Sequence, residues 1–132
     1  MGLTMNVLRL WLSIAILVAS SSTEAQGVTD ARERIVGSWS AEKDGIVNLV
    51  TYLNGGTFRG HLLTASTGKV LWNYEGKYTF EGSCLQYTYT KSDSARVEVG
   101  YGSRDKVIEV DAEHFKIRTS TNEERIYTRV HR

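Results

Sequence analysis

Three histidines and a few strand carboxylates are the residues in this chain whose types could do chemistry. His61, His114 and His131 fall in a strand, at a turn and at the tail, and none has a second His or Cys at metal-ligand spacing. His61 reads as a surface strand residue, with a ligand or acid–base role as the alternative. Two facing acids could perform general acid–base work. Glu75, Glu98 and Glu109, however, alternate with apolar neighbours and are expected to face water. Arg59, Arg96, Arg118 and Arg125 are expected on the same outer faces, where cross-strand ion pairs contribute little individually. No nucleophile-elbow or phosphate-loop motif occurs. Gly100–Ser103, "GYGS", superficially suggests a phosphate cradle but reads as a turn with no helix after it. The chain therefore reads as a non-enzyme with no catalytic residues, no metal and no cofactor.

The bulk properties narrow the field. Met1 to about Ala25 holds Arg9, the apolar run Leu10–Ala19 and a small polar stretch ending in Ala25. That is the layout of a secretory signal peptide. The apolar run is shorter than the roughly 20 residues that span a bilayer. Residues 1–25 are taken as the leader, with cleavage after Ala25 or, alternatively, after Ser20; a retained anchor is the competing reading. The remaining 107 residues, Gln26–Arg132, are the size of one domain and carry 15 basic and 14 acidic residues. No charge block argues for nucleic acid or an anionic membrane. Cys84 is the single Cys, so no internal disulfide is available and a packed core must hold the fold.

The elements that must position any site are short strands. Runs rich in Val, Ile, Thr, Tyr, Phe and Trp recur every 8–12 residues or so, the signal of an antiparallel sandwich or barrel. Strand runs are read near 35–42, 46–53, 57–64, 70–80, 84–90, 95–101, 106–111, 114–119 and 124–131. Asp44-Gly45 and Asn54-Gly55-Gly56 supply hairpin turns. Short connections favour an up-and-down meander. Residues 26–34 form a lead-in, where Thr29 or Asp30 could cap one or two helical turns, and 35–132 the barrel domain. In "WNYEGKYTF", Trp72, Tyr74, Gly76, Tyr78 and Phe80 share one face and polar residues the other. Gly76 permits a bend or bulge there. Leu85, Tyr87 and Tyr89 share a face, as do Val97 and Val99. Only "IVNLV", Ile46–Val50, reads as apolar on both faces, so it is covered outside or forms a contact surface.

More specific pieces follow in order. "IVGSW" resembles the Gly-x-Trp signature that begins the first strand of lipocalins. "YLNGGTFRG" (Tyr52–Gly60) and "GKYTFEGSCLQYTY" (Gly76–Tyr89) are similar to consecutive hairpins of small bacterial lipocalin-like domains. "IYTRV" (Ile126–Val130) matches their closing strand, with Arg129 in the Arg position. The resemblance implies an all-β fold, an antiparallel up-and-down β-barrel of about eight short strands with a short N-terminal helical turn. It also implies that Trp39 and Arg129 stack at the closed end, a cation–π contact worth about 0.5–2 kcal/mol. Gly37 is expected to let another backbone or the lead-in approach closely. Arg125 is a competing partner for Trp39.

The resemblance implies a binding protein, and the residues leave two forms of it open. The inward aromatic list, including Phe58, Trp72, Tyr74, Tyr78, Tyr87 and Tyr89, either fills the barrel or lines an apolar pocket with a few polar handles. The first expectation is an exported protein that holds a small hydrophobic or aromatic molecule at those six residues. The alternative is a filled barrel acting as a protein-interaction or protease-inhibitor module through Ile46–Val50. A monomer is expected, without nucleic acid and without a membrane span in the mature chain, in the periplasm if bacterial and otherwise extracellular.

Overall fold

The computed structural model describes residues 31–131. The leader, the expected cleavage sites and the caps at Thr29 and Asp30 lie outside the described residues. Eight antiparallel strands form a closed barrel in sequence order. They are β1 (Gly37–Lys43), β2 (Ile46–Leu53), β3 (Thr57–Thr64), β4 (Val70–Glu81), β5 (Cys84–Ser92), β6 (Gly102–Val110), β7 (His114–Arg118) and β8 (Glu124–Arg129). Each strand pairs with its sequence neighbour, and β8 returns to β1 to complete the circle. No helix among the described residues is long and apolar enough to cross a membrane.

Period-2 alternation explains why the sheet curls inward. Tyr74, Tyr78 and Phe80 of β4 are buried while Asn73, Lys77 and Thr79 are exposed. Such a strand has one face to bury, and closure buries it on every side at once. The first hairpin turns at Asp44 and Gly45, both with positive φ, as the sequence predicts. The β4–β5 register shifts between Glu75 and Gly76. A Cβ on Gly76 would collide with the Phe58 ring and the Thr88 carbonyl, so the bulge brings neighbouring chains into contact with that backbone.

One expected strand is absent. Residues 95–101 form turns: Val97 N–H donates to Ser94 and Tyr101 N–H to Glu98. Val99 is 63% exposed, so Val97 and Val99 do not line a common strand face. The sixth strand instead begins at Gly102, four residues earlier than the expected 106. Val and Tyr suit a strand only where a partner is available. Tyr89 N–H bonds the Tyr101 carbonyl and Gly100 N–H the Tyr89 carbonyl, after which the ladder with β5 resumes at Gly102.

The two ends of the barrel differ. At one, residues 31–34 form the expected helical turn, and Ile35 N–H closes it on Ala31 at 3.0 Å. Ile35 is fully buried, and the Arg32 guanidinium donates to the Phe80 carbonyl at 3.1 Å. This turn plugs the barrel beside Trp39, Leu85 and Phe115, its most deeply buried large side chains. The far end is formed by the β1–β2, β3–β4, β5–β6 and β7–β8 connections. The β1–β8 seam has only two residue pairs, Trp39 with Arg129 and Ser40 with Thr128. Toward the far end the seam is bridged by side chains, with Lys43 paired to Glu123.

Candidate functional site

Two constellations occupy the interior, and β8 contributes to both. The first closes the plugged end. Trp39 is the third residue of β1 and turns inward, and Arg129 is its direct cross-strand partner. The guanidinium carbon lies 4.2 Å from the Trp39 ring centroid. Arg129 Nε donates to the Ala112 carbonyl at 2.6 Å, Nη1 to Val36 at 3.1 Å and Nη2 to Arg34 at 2.6 Å. One side chain thus ties β8 to the lead-in and to the β6–β7 turn. Trp39 Nε1 donates to the Ile35 carbonyl at 2.8 Å, which satisfies the indole of a fully buried ring. Gly37 serves this contact differently from the expectation of a close backbone. Its φ is +131°, and a Cβ there would strike the Arg129 guanidinium. The approaching group is the arginine side chain.

The second constellation is a cavity of about 60 Å³ at the barrel centre. By comparison, small-molecule sites run from about 300 to 1,000 Å³. The barrel is therefore nearly filled, and what stays empty would hold a few atoms. Its walls are aromatic side chains and polar groups: Phe58 and the tyrosines 52, 74, 87, 89 and 127, together with Asn48, Asp105 and Arg125. Tyr74 donates to Asn48 Oδ1 at 2.5 Å, and Asn48 Nδ2 donates to the Tyr127 hydroxyl at 3.2 Å. This chain crosses the barrel and fixes the Asn48 amide. Burial pushes the Tyr87 hydroxyl up to about 12 and holds Tyr52, Tyr74 and Tyr89 well above the ordinary tyrosine value.

Asp105 is the exceptional wall residue. It is 8% exposed, and its carboxylate has no hydrogen bond to any described residue. Burial lifts its pKa to about 6, against the opposing pull of Arg125. Arg125 reaches the cavity from β8 and lies 3.7 Å from Glu123 Oε1. Burial works against its charge, but the neighbouring Tyr127 and Glu123 hold its pKa above the ordinary value. Arg125 is exposed, as expected, but its side chain also borders the cavity, which the expectation did not include. Its competition with Arg129 is settled: Trp39 stacks on Arg129 alone. Residues 125, 127 and 129 share one strand parity, so both arginines stand on the inward face, at different heights. Ile126, 57% exposed, faces out.

The six aromatic residues singled out from the sequence divide into two groups. Phe58, Tyr74, Tyr87 and Tyr89 line the cavity. Tyr78 lies toward the plugged end, its hydroxyl donating to the Leu53 carbonyl at 2.8 Å. Trp72 stands toward the far end, its indole donating to Ser92 Oγ at 2.9 Å and its ring 4.4 Å from Tyr74. There it joins Tyr89 at 5.3 Å, and Tyr89 stacks on Tyr101 at 14°. Asn48, Asp105 and Arg125 were missed as wall residues. The usable signal was parity: Asp105 shares a face with Val107, Asn48 with Val50, and Arg125 with Tyr127.

On the outer surface, His61 of β3, Asn73 of β4 and Asp93 just after β5 form a polar cluster. Asn73 Nδ2 donates to Asp93 Oδ2 at 2.9 Å, which leaves its Oδ1 to accept from His61 Nδ1 at 2.5 Å. Bonds from Asn73 hold the Asp93 carboxyl below its ordinary value. No three His, Cys, Asp or Glu among the described residues are placed to hold a metal.

No protein-family model matches the chain, and no curated protein matches it. Among solved structures it is similar to a lipocalin-like protein from Bacteroides uniformis, with a TM-score of 0.55 and 12% identity. The match covers 74% of this chain and 99% of the other. At that identity the likeness is one of fold.

Proposed function

From a lipocalin-like β-barrel whose small central cavity is walled by aromatic rings, we propose a non-catalytic, exported binding protein for a small aromatic or apolar molecule. The observation that carries the reading is the aromatic approach to the cavity. Trp72, Tyr89 and Tyr101 stand between the far end and the cavity wall, and Tyr101 is largely exposed. A planar molecule stacks on such rings, while Asn48 and the tyrosine hydroxyls supply the few polar contacts that fix orientation. The volume of the cavity means that the body of the ligand sits among the outer rings and only a small group enters it.

Titrating the chain from Gln26 with bicyclic aromatic compounds, followed by NMR of the aromatic side chains, tests the reading. Shifts concentrated on Trp72, Tyr89 and Tyr101 are expected. A panel that leaves those resonances unmoved refutes it. Export is supported by the leader-like residues 1–25; N-terminal sequencing of the secreted protein is expected to begin at Gln26, and recovery of the intact precursor in the cytoplasm refutes export.

A further inference from the structure

We propose that the central cavity is a subsite for a small protonated amine, held by the Asp105 carboxylate and the surrounding tyrosine rings. This rests on the interior-binding reading above and goes further by assigning the chemistry of the group that enters the cavity.

The argument begins with an imbalance. An ionised carboxylate only accepts hydrogen bonds, and a buried one needs donors or a cation. Asp105 is 8% exposed, no described residue hydrogen-bonds to it, and its carboxylate opens onto the cavity instead of being sealed in the core. The polar groups around it do not reach it. The Tyr74 hydroxyl donates to Asn48, and the Tyr127 hydroxyl accepts from Asn48, while none of the tyrosine hydroxyls around the cavity comes within hydrogen-bond distance of the carboxylate. Arg125 pairs with Glu123 and forms no ion pair with Asp105. An acceptor facing a cavity without a donor is what a bound N–H group would complete.

The walls favour a charged donor over a neutral one. Tyrosine and phenylalanine faces carry negative quadrupole potential, and an ammonium beside them gains from each ring it meets. A neutral hydroxyl would satisfy a lone pair and leave the carboxylate charge to the more distant Arg125 alone. The volume sets the size: about 60 Å³ accommodates an ammonium with one or two carbons, since each water in the liquid takes up about 30 Å³. The rest of the ligand would extend past Tyr89 toward Trp72.

The site should respond to pH through one group. Facing Asp105 are Tyr52 from β2, Tyr87 and Tyr89 from β5, and Arg125 and Tyr127 from β8. Burial keeps these tyrosines neutral, and the arginine stays charged, so only Asp105 changes state between pH 4 and 8. Protonation near pH 6 removes the acceptor charge, and affinity for an ammonium falls as the pH drops below that point.

The test compares ethylammonium, ethanol and acetate on the chain from Gln26, using NMR of the interior tyrosines and of the Asp105 carboxyl carbon. Ethylammonium at pH 8 is expected to shift the resonances of Tyr52, Tyr87 and Tyr89 and to lower the Asp105 pKa. Its affinity is expected to fall about tenfold per pH unit below 6. Asp105→Asn, checked for folding by circular dichroism, is expected to lose at least tenfold in ethylammonium affinity. Ethanol binding as well as ethylammonium, or Asp105→Asn retaining the amine, overturns the amine assignment and leaves interior binding standing. If no probe moves the interior tyrosines, the amine subsite is refuted, and the aromatic panel decides separately whether the barrel binds a ligand at all. The wild-type titration needs no variant: an Asp105 pKa that ethylammonium leaves unchanged also overturns the amine assignment.

Discussion

Replacing Asp105 with Asn keeps the shape of the side chain and removes the charge that burial opposes. The ordinary carboxyl value is 3.8, and the folded protein raises it to about 6. At 1.36 kcal/mol per pKa unit, that is about 3 kcal/mol held against the ionised form at neutral pH. The sign follows from proton binding. Between about pH 4 and 6 the folded state holds a proton at Asp105 that the unfolded chain has released, so stability falls as pH rises through that window. Asp105→Asn is therefore expected to gain about 1–3 kcal/mol over wild type at pH 8 and almost nothing at pH 3.5, the lower figure applying where cavity water hydrates the carboxylate. Urea denaturation of both proteins across pH 3.5–8 measures this. Only their difference is informative, because Asp93, Asp111, Glu123 and Glu124 are held below their ordinary values and lose stability in the opposite direction, as pH falls. A variant less stable than wild type by the same amount at every pH would show that Asp105 is a satisfied acceptor, and the reasoning would fail.

The plugged end and the tyrosines supply the remaining predictions. Trp39→Ala removes a fully buried indole and is expected to cost about 3–5 kcal/mol in chemical denaturation, with far less change in any ligand preference; the reverse pattern contradicts the closure role. Arg129→Met keeps much of the stem but abandons three carbonyls and the ring face, an expected loss of about 2–4 kcal/mol. Gly37→Ala combines an unfavourable φ with a collision at Arg129, so it is expected to cost more than about 1 kcal/mol, and a thermally neutral Gly37→Ala contradicts that geometry. At alkaline pH the buried tyrosines stabilise the fold below about pH 10 and withdraw that stability above it, because the unfolded chain ionises first. Tyrosinate absorbance and circular dichroism are expected to change in one shared transition; smooth tyrosine ionisation in a barrel that stays folded contradicts their burial.

What was legible in the sequence depended on how far each signal had to reach. The strand from Trp72 to Phe80 carries its own evidence, since five alternating residues set the buried face without reference to any other strand. The stacking of Trp39 on Arg129 spans ninety positions and was reached through resemblance, with alternation then fitting the inward side. Arg125 and Asp105 were hidden for a different reason. Charge argues for the surface and parity for the interior: Asp105 is buried, while Arg125 stays exposed with its side chain at the cavity edge. Residues 95–101 misled in the converse way. Their Val and Tyr content suits a strand, yet their backbone bonds close local turns and leave β6 to start at Gly102.

The short β1–β8 seam has a mechanical consequence. Both described chain ends lie at the plugged end, so tension applied between Ala31 and His131 pulls directly on the meeting point of the first and last strands. That joint has two residue pairs, where β1 and β2 share seven. Antiparallel strands drawn apart from adjoining ends peel open pair by pair, each ladder bond meeting the force alone. The Arg129 side chain, with its grip on Ala112, Val36 and Arg34, sits where peeling begins. The barrel is thus a closed ring with a built-in fuse: pulled by its ends, it should part at one known seam while the other seven ladders remain intact.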